Sequence, residues 1–185
     1  MESLELGASL YVPTTHNEMV AIGNSEKYPN LRSVIYCTED AVSESELESA
    51  LQKLEEALPH LSTNKTMKRF IRVRNPEVMA HVVKMRGIGQ IQGFVLPKVT
   101  NQNVHQYFNL IKGTDFVAMV TLETRECFDG GEMSKLRNTM IEQGYDKQTL
   151  ALRIGGNDLL NVIGMRRVRG KTIYQTPVGQ VISKH

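Results

Sequence analysis

Two carboxylates stand where an apolar run gives out. Val117-Ala-Met-Val120 leads through Thr121-Leu122 to Glu123, and Leu150-Ala-Leu-Arg-Ile154 leads through Gly155-Gly-Asn157 to Asp158. A carboxylate just past the end of each of two successive buried strands builds a hard-metal site. Mg²⁺ takes one or two protein carboxylates and completes its octahedron with waters and substrate oxygens; Mn²⁺ suits the same oxygen donors. Either carboxylate alone also fits a cap on the helix that follows it. The pair gains weight from the other strand ends, which carry His16, Glu39 with Asp40, Arg72 with Arg74, and Lys98. Brought together, these acids and cations suit an anionic, oxygen-rich substrate held on a divalent metal. Each also has a plainer role. Glu39 or Asp40 fits a cap near Ser43, Lys98 a loop surface, Arg74 a surface pair with Glu77, and His16 the first turn of a helix. The basic run Arg166, Arg167, Arg169, Lys171 fits a solvated loop or a phosphate contact.

The elements that must position these residues follow from periodicity. Apolar runs at Ser9–Val12, Ser33–Cys37, Arg69–Arg72, Gly93–Leu96, Phe116–Val120 and Leu150–Ile154 read as strands. Between them lie helical patterns. Thr15 and Glu18 match a capping box before Met19, Val20 and Ile22; Ser43 and Glu46 match a second before Leu47, Ala50, Leu51, Leu54 and Leu58. Asn75-Pro76 is an N-cap followed by proline at the first helical position. Thr100 or Asn101 caps a helix with Val104, Tyr107, Phe108 and Ile111 inward. Glu132–Gln143 follows with Met133, Leu136, Met140 and Ile141 inward and Gly144 as its stop, and Thr176-Pro177 opens a last helix. Strand–helix alternation means a parallel sheet with helical crossovers, and short continuous apolar strands mean burial on both faces. A doubly wound sheet and a (β/α)₈ barrel both fit. No GxGxxG follows the first strand, so a dinucleotide-binding sheet is unsupported. In a barrel all strand C-termini open on one face, where the site sits.

The chain has 185 residues, 41% hydrophobic and 23% charged, which fits one domain with a real core. A net charge of +2 gives no argument for a nucleic-acid partner. No apolar run is long enough to span a bilayer, and MESLELG lacks the features of a secretory signal, so no membrane partner is expected. Cys37 and Cys127 are far apart in sequence and read as reduced thiols of a cytoplasmic protein.

Six short motifs, in order, resemble the HpcH/HpaI aldolase superfamily, the citrate lyase β-subunit and malyl-CoA lyase relatives. They are Ser-Leu-Tyr-Val-Pro at 9–13, Glu-Asp-Ala-Val at 39–42, the arginine–Asn-Pro turn at 72–76, Leu-Pro-Lys at 96–98, Leu-Glu-Thr at 122–124 and Gly-Gly-Asn-Asp at 155–158. The chain also resembles citrate-lyase-like proteins linked to tellurium-resistance and stress-response gene clusters. The resemblance implies a TIM (β/α)₈-type barrel, here incomplete with about six β/α units, as a single partial domain over residues 1–185. It implies a C-terminally truncated chain, since family members continue through two more units, and an open barrel exposes sheet edges where a partner, including a second copy in a homo-oligomer, would pair. It implies Mg²⁺ on Glu123 and Asp158, an arginine on the substrate carboxylate or enolate, and Glu39, Asp40 and Lys98 as further residues of the mouth. The turn Arg-Val-Arg-Asn-Pro is one residue longer than the family's, so Arg72 and Arg74 both remain substrate-binding candidates; Asn157 stands where the family often has Glu. The implied chemistry is reversible carbon–carbon cleavage of a β-hydroxy acid or acyl thioester through an enolate, with an oxo-acid or acyl thioester as the small-molecule partner. Two alternatives remain: a non-catalytic relative that binds metal or ligand as an accessory protein, and a phosphate-binding α/β domain using the Arg166–Lys171 loop.

Overall fold

The computed structural model describes residues 2–63 and 66–184. Six strands form one parallel sheet in chain order: β1 (Ser9–Pro13), β2 (Ser33–Cys37), β3 (Lys68–Arg72), β4 (Gly93–Leu96), β5 (Val117–Leu122) and β6 (Thr149–Ile154). Each strand pairs with its sequence neighbours, and β1 and β6 are the two ends of the order. A doubly wound sheet would reverse its order near the middle. This one never reverses, which is the winding of a barrel wall.

The crossovers carry α1 (Met19–Gly23), α2 (Leu47–Ala57), α3 (Pro76–Val82), α4 (Val104–Ile111) and α5 (Gly130–Glu142); α6 (Gly156–Val162) and α7 (Val178–Ile182) follow β6. The Ser43–Glu46 capping box forms, opening a 3-10 turn that runs into α2. Asn75 accepts from the Val78 amide at 2.8 Å, with Pro76 as the first helical residue. Elsewhere the local chemistry chooses other residues. Asp129 caps α5 by accepting from the Gly131 and Glu132 amides, so the helix starts before Glu132. Asn103, rather than Thr100 or Asn101, stands at the N-cap of α4, and its side chain turns back to accept from the Thr100 amide. Thr15 does not cap α1: Glu18 is its N-cap residue, and the His16 ring accepts from the Glu18 amide.

Because side chains alternate across a strand, the sheet serves two cores. On the helix side Val34, Ile71, Phe94, Leu96, Ala118 and Val120 pack into the main core with residues such as Leu54, Met79, Phe108 and Leu136. On the other face Ile35, Phe70, Val95 and Met119 form a smaller cluster with Leu6. Leu6 belongs to a 3-10 turn (Ser3–Leu6) whose carbonyl accepts from the Ser33 hydroxyl at 2.8 Å. Gly93 allows β4 and β5 to close: a Cβ there would lie 1.8 Å from the Val117 carbonyl oxygen.

Burial on both faces holds for β2, β4 and nearly all of β3 and β5, but not for β6, which has no fully buried residue. Leu152 is 52% exposed and Ile141, expected to point inward, is 50% exposed. Both line an open groove with Met133 and Met140. Ile141 lies on the rim of the α5 stripe, facing the uncovered outer side of β6 rather than the core. Among the described residues no helix is long and apolar enough to cross a membrane.

Candidate active site at the strand ends

The C-terminal ends of the strands are stitched together before any charged group enters. Thr14 and Thr38, both fully buried, donate side-chain and main-chain hydrogen bonds to the carbonyls of Cys37 and Arg72, the last residues of the neighbouring strands. The Val99 amide donates to Thr121, and the Gly155 amide donates to Leu122. These bonds fix where the next side chains emerge.

Arg72, the last residue of β3, lies 8% exposed, on the face shared with Phe70. Its Nη2 is 2.5 Å from Glu39 Oε2, 3.2 Å from Asp40 Oδ2 and 3.2 Å from Glu123 Oε1. Lys98 pairs with the other oxygen of Glu39, and its own amide donates to Glu123 Oε1 at 3.0 Å. To present both groups at once Lys98 adopts a left-handed backbone, φ +50°, a conformation that costs a non-glycine residue free energy and is often found at functional sites. The Asn103 side chain donates to the Lys98 carbonyl at 3.0 Å, and the Tyr107 hydroxyl donates to the preceding Pro97 carbonyl, tying this turn to α4.

The charges bias one another. Burial raises the Glu123 carboxyl, and the charge of Asp158 adds to the rise, against the opposing pull of Arg72 and the Lys98 amide. Glu39 is also penalised by burial, yet Lys98 and Arg72 together hold it below the ordinary glutamate value. Asp40 is raised by burial and then by its neighbour Glu39. Arg72 and Lys98, disfavoured by burial, are each pushed up by the acids around them. Four carboxylates (Glu39, Asp40, Glu123, Asp158) surround two cations, an excess of two negative charges.

Asp158 sits in the first turn of α6, half-buried, close enough for its charge to act on Glu123. Among the described residues no three His, Cys, Asp or Glu side chains gather as a closed metal cage. Two carboxylates are the number Mg²⁺ uses when waters and substrate fill its remaining positions. Glu123 suits that use. It is 2% exposed, and its Oε2 has no hydrogen-bond partner. Buried polar atoms are rarely left so without a reason. Gly155 leaves this oxygen its space: a Cβ there would lie 2.2 Å from Oε2 and 2.4 Å from the Glu123 Cβ.

Arg74 is placed differently from Arg72. Its guanidinium donates to the carbonyls of Thr38, Glu39 and Val42 and braces the loop between β2 and α2. His16 is bound to its own turn, and the segment Arg166–Lys171 is exposed. Three residues of this region lie within the runs and motifs of the sequence but received no role there: Gly155, Tyr11 and Arg153. Tyr11 helps to raise the Arg72 guanidinium and lies under Arg153 of β6, whose guanidinium carbon is 5.4 Å from the ring centroid. Strand alternation would have found Arg153, since it lies two residues before Gly155 and therefore on the same face.

Residues 1–184 match the family model of the C-C bond lyases of the TIM-barrel fold. The chain belongs to that family. No match was found among curated proteins. Among solved structures, the chain is similar to Haloferax volcanii malate synthase in a magnesium/glyoxylate complex, at 16% identity and a TM-score of 0.67, covering 86% of this chain and 54% of that one. It is similar to the citrate lyase beta subunit from M. tuberculosis complexed with oxaloacetate and magnesium, at 18% identity and a TM-score of 0.63, covering 95% and 70%. RipC from Yersinia pestis matches at 16% identity and a TM-score of 0.61, covering 94% and 66%. The lyase-family chain thus spans about half the length of the malate synthase. At these identities the structural likeness concerns the fold.

Proposed function

We propose that this chain carries a Mg²⁺-dependent carbon–carbon lyase site that cleaves or forms a β-hydroxy acid or acyl thioester by way of an enolate. The observation that carries this reading is the buried Glu123 oxygen without a partner, set beside Asp158 in a cluster with two surplus negative charges. Glu123 and Asp158 would hold the ion, with Mn²⁺ as a substitute. The ion, when bound, supplies Lewis-acid stabilisation of oxygen charge as the carbon–carbon bond breaks. Support comes from the family and from the magnesium in the complexes of the citrate lyase beta subunit and malate synthase.

The chain's own residues divide the remaining work. Arg72 is assigned to the substrate carboxylate or the developing enolate oxygen: its Nε is buried and without a hydrogen-bond partner. Glu39 orients Arg72 by an ion pair and Lys98 by accepting its hydrogen bond, and Lys98 holds Glu123 through its backbone amide. Asp40, more exposed than the others, lies at the rim beside Arg72. Arg74 supports the loop that carries Glu39 and Asp40. Titration calorimetry tests the assignment: Mg²⁺ or Mn²⁺ binding is expected in the native protein and lost in both Glu123→Gln and Asp158→Asn. Unchanged binding in both variants would remove the site.

A second reading, a metal- or ligand-binding accessory protein without turnover, draws on the exposure of β6, which admits water beside Asp158. Water weakens the charge interactions such a site depends on, and small misplacements of reacting groups cost about 10²-fold in rate. Weak or no cleavage is therefore expected when the 185-residue chain is assayed with Mg²⁺ and malyl-, citramalyl- and citryl-thioesters. Turnover in the ordinary enzyme range of roughly 1–10³ s⁻¹ would exclude the accessory reading.

A further inference from the structure

Arg153 is a cation on the site face for which no ion pair is found among the described residues. On β6 it stands opposite Thr121 in the strand register, one side-chain layer below Gly155 and Glu123. Its neighbours are the face of the Tyr11 ring, at 5.4 Å, and the Met119 sulfur, 3.8 Å from Nη1. Neither neutralises it. A guanidinium held over an aromatic face is oriented without being discharged, so its fork stays available to an anion. Tyr11 also lies near enough to Arg72 to help hold its charge, so one ring neighbours two guanidinium groups, the first engaged by three carboxylates and the second, among the described residues, by none. Thr121 adds a buried hydroxyl without a partner on the same face.

We infer that Arg153 reads a second anionic group on the substrate, so that the site favours oxo-acids with two carboxylates over those with one. The inference rests on the lyase reading above. A divalent cation on Glu123 and Asp158 would balance the four-acid, two-cation cluster, leaving the first carboxylate of a ligand to the ion and Arg72. Among the described residues, Lys68 is also on this face without an ion pair, but it stands at the start of β3, at the far end of the strands from Glu123; Arg153 is the unpaired strand cation next to the site. Arg153 binds a second carboxylate as a specificity residue, two donors of its planar fork facing the two oxygens.

The test is calorimetric titration of the full chain, in excess Mg²⁺, with glyoxylate and with oxaloacetate, for the native protein, Arg153→Met and Arg153→Lys. Native protein is expected to bind oxaloacetate more tightly than glyoxylate. Arg153→Met should cut that preference by about 10- to 100-fold, the range of a charged hydrogen bond, and Arg153→Lys should keep part of it. Arg153 also joins the two end strands through Tyr11, and a purely structural role would weaken both ligands alike. Equal weakening, or an unchanged preference in Arg153→Met, overturns the inference while the lyase reading stands. Failure of the native protein to bind either acid overturns the lyase reading, and the inference with it. If Arg153→Met does not fold, Arg153→Lys decides alone: a preference as large as the native one refutes a fork-specific contact.

Discussion

Strand β3 carries two buried arginines three positions apart, and they face opposite sides of the sheet. Arg69, on the helix side, is 1% exposed and donates to the backbone carbonyls of Gly23, Ser62 and Gln90 at 2.9, 2.8 and 3.1 Å. Arg72, on the other side, meets three carboxylates and keeps a buried Nε without a hydrogen-bond partner. Their charges respond in opposite directions: burial lowers the Arg69 guanidinium, whereas the acids around Arg72 outweigh burial and raise it. Carbonyl oxygens satisfy a guanidinium without adding net charge, so Arg69 works as a rigid internal clip between loops. Carboxylates create a charged cluster that a metal ion or a substrate can complete. Burial and charge alone do not separate a structural arginine from a functional one; the chemistry of the acceptors does.

The sharpest way to break this comparison is to remove each guanidinium in turn. Arg69→Met takes this donor from one buried and two part-buried carbonyls, at about 1–3 kcal/mol for each buried group left unmade and less where water can enter. A loss of about 3–5 kcal/mol is expected in urea unfolding, near the whole stability of many domains, and Mg²⁺ should not restore it. Arg72→Met leaves Glu39 and Glu123 buried with less compensation, and a loss of about 2–4 kcal/mol is expected. Here added Mg²⁺ should recover a measurable part, because the cluster gains a further surplus negative charge that a cation can offset. Equal responses of the two variants to Mg²⁺ would erase the distinction.

A smaller effect tests the space beside Glu123. Gly155→Ala places a methyl group within 2.2 Å of Oε2, against a side chain that Arg72 and the Lys98 amide already hold. Displacement of Glu123 should weaken Mg²⁺ at least tenfold, with about 1–3 kcal/mol lost from the fold. Glu123→Gln separates the two quantities. Burial disfavours the charged carboxylate, so this variant should keep or raise the midpoint of thermal unfolding while losing the metal. A large drop in that midpoint would make Glu123 a structural residue of the same kind as Arg69.

Much of this was legible from residue order. The bounds of β2 and β4, the Ser43–Glu46 box and the Asn75-Pro76 start depend on local chemistry, and they form where the sequence placed them. The barrel winding followed from strand–helix alternation and from the series of motifs. What stayed hidden was whatever depends on groups distant in sequence. The pattern at β3 reads Lys-Arg-Phe-Ile-Arg, and nothing in it tells that one arginine will meet carbonyls from residues 23, 62 and 90 and the other carboxylates from 39, 40 and 123. Arg153 was passed over because it lay inside an apolar run. Ile141 was placed inward because its spacing fits the α5 stripe, and that spacing carries no sign that the outer face of β6 lies open.

The smallest expected effect belongs to the third arginine of this segment, and it is the finest test of the acceptor rule. Arg74 donates to the carbonyls of Thr38, Glu39 and Val42, so by its partners it belongs with Arg69, although it lies beside Arg72 in sequence. Lysine at 74 keeps the charge but cannot reach three carbonyls from one planar group. Since the side chain is half-buried and water can replace a lost partner, about 1 kcal/mol of stability should be lost. The braced loop carries Glu39, whose carboxylate also holds Arg72 and Lys98, so a slight slackening should reach the site only indirectly. Oxo-acid affinity measured with Mg²⁺ is therefore expected to change by no more than about threefold in Arg74→Lys, against about 10- to 100-fold in Arg72→Lys, where a charged contact to the ligand itself is lost. Equal losses at the two positions would mean that Arg74 reaches the ligand in the bound state, and that the acceptors seen without ligand do not decide which arginine does the chemistry.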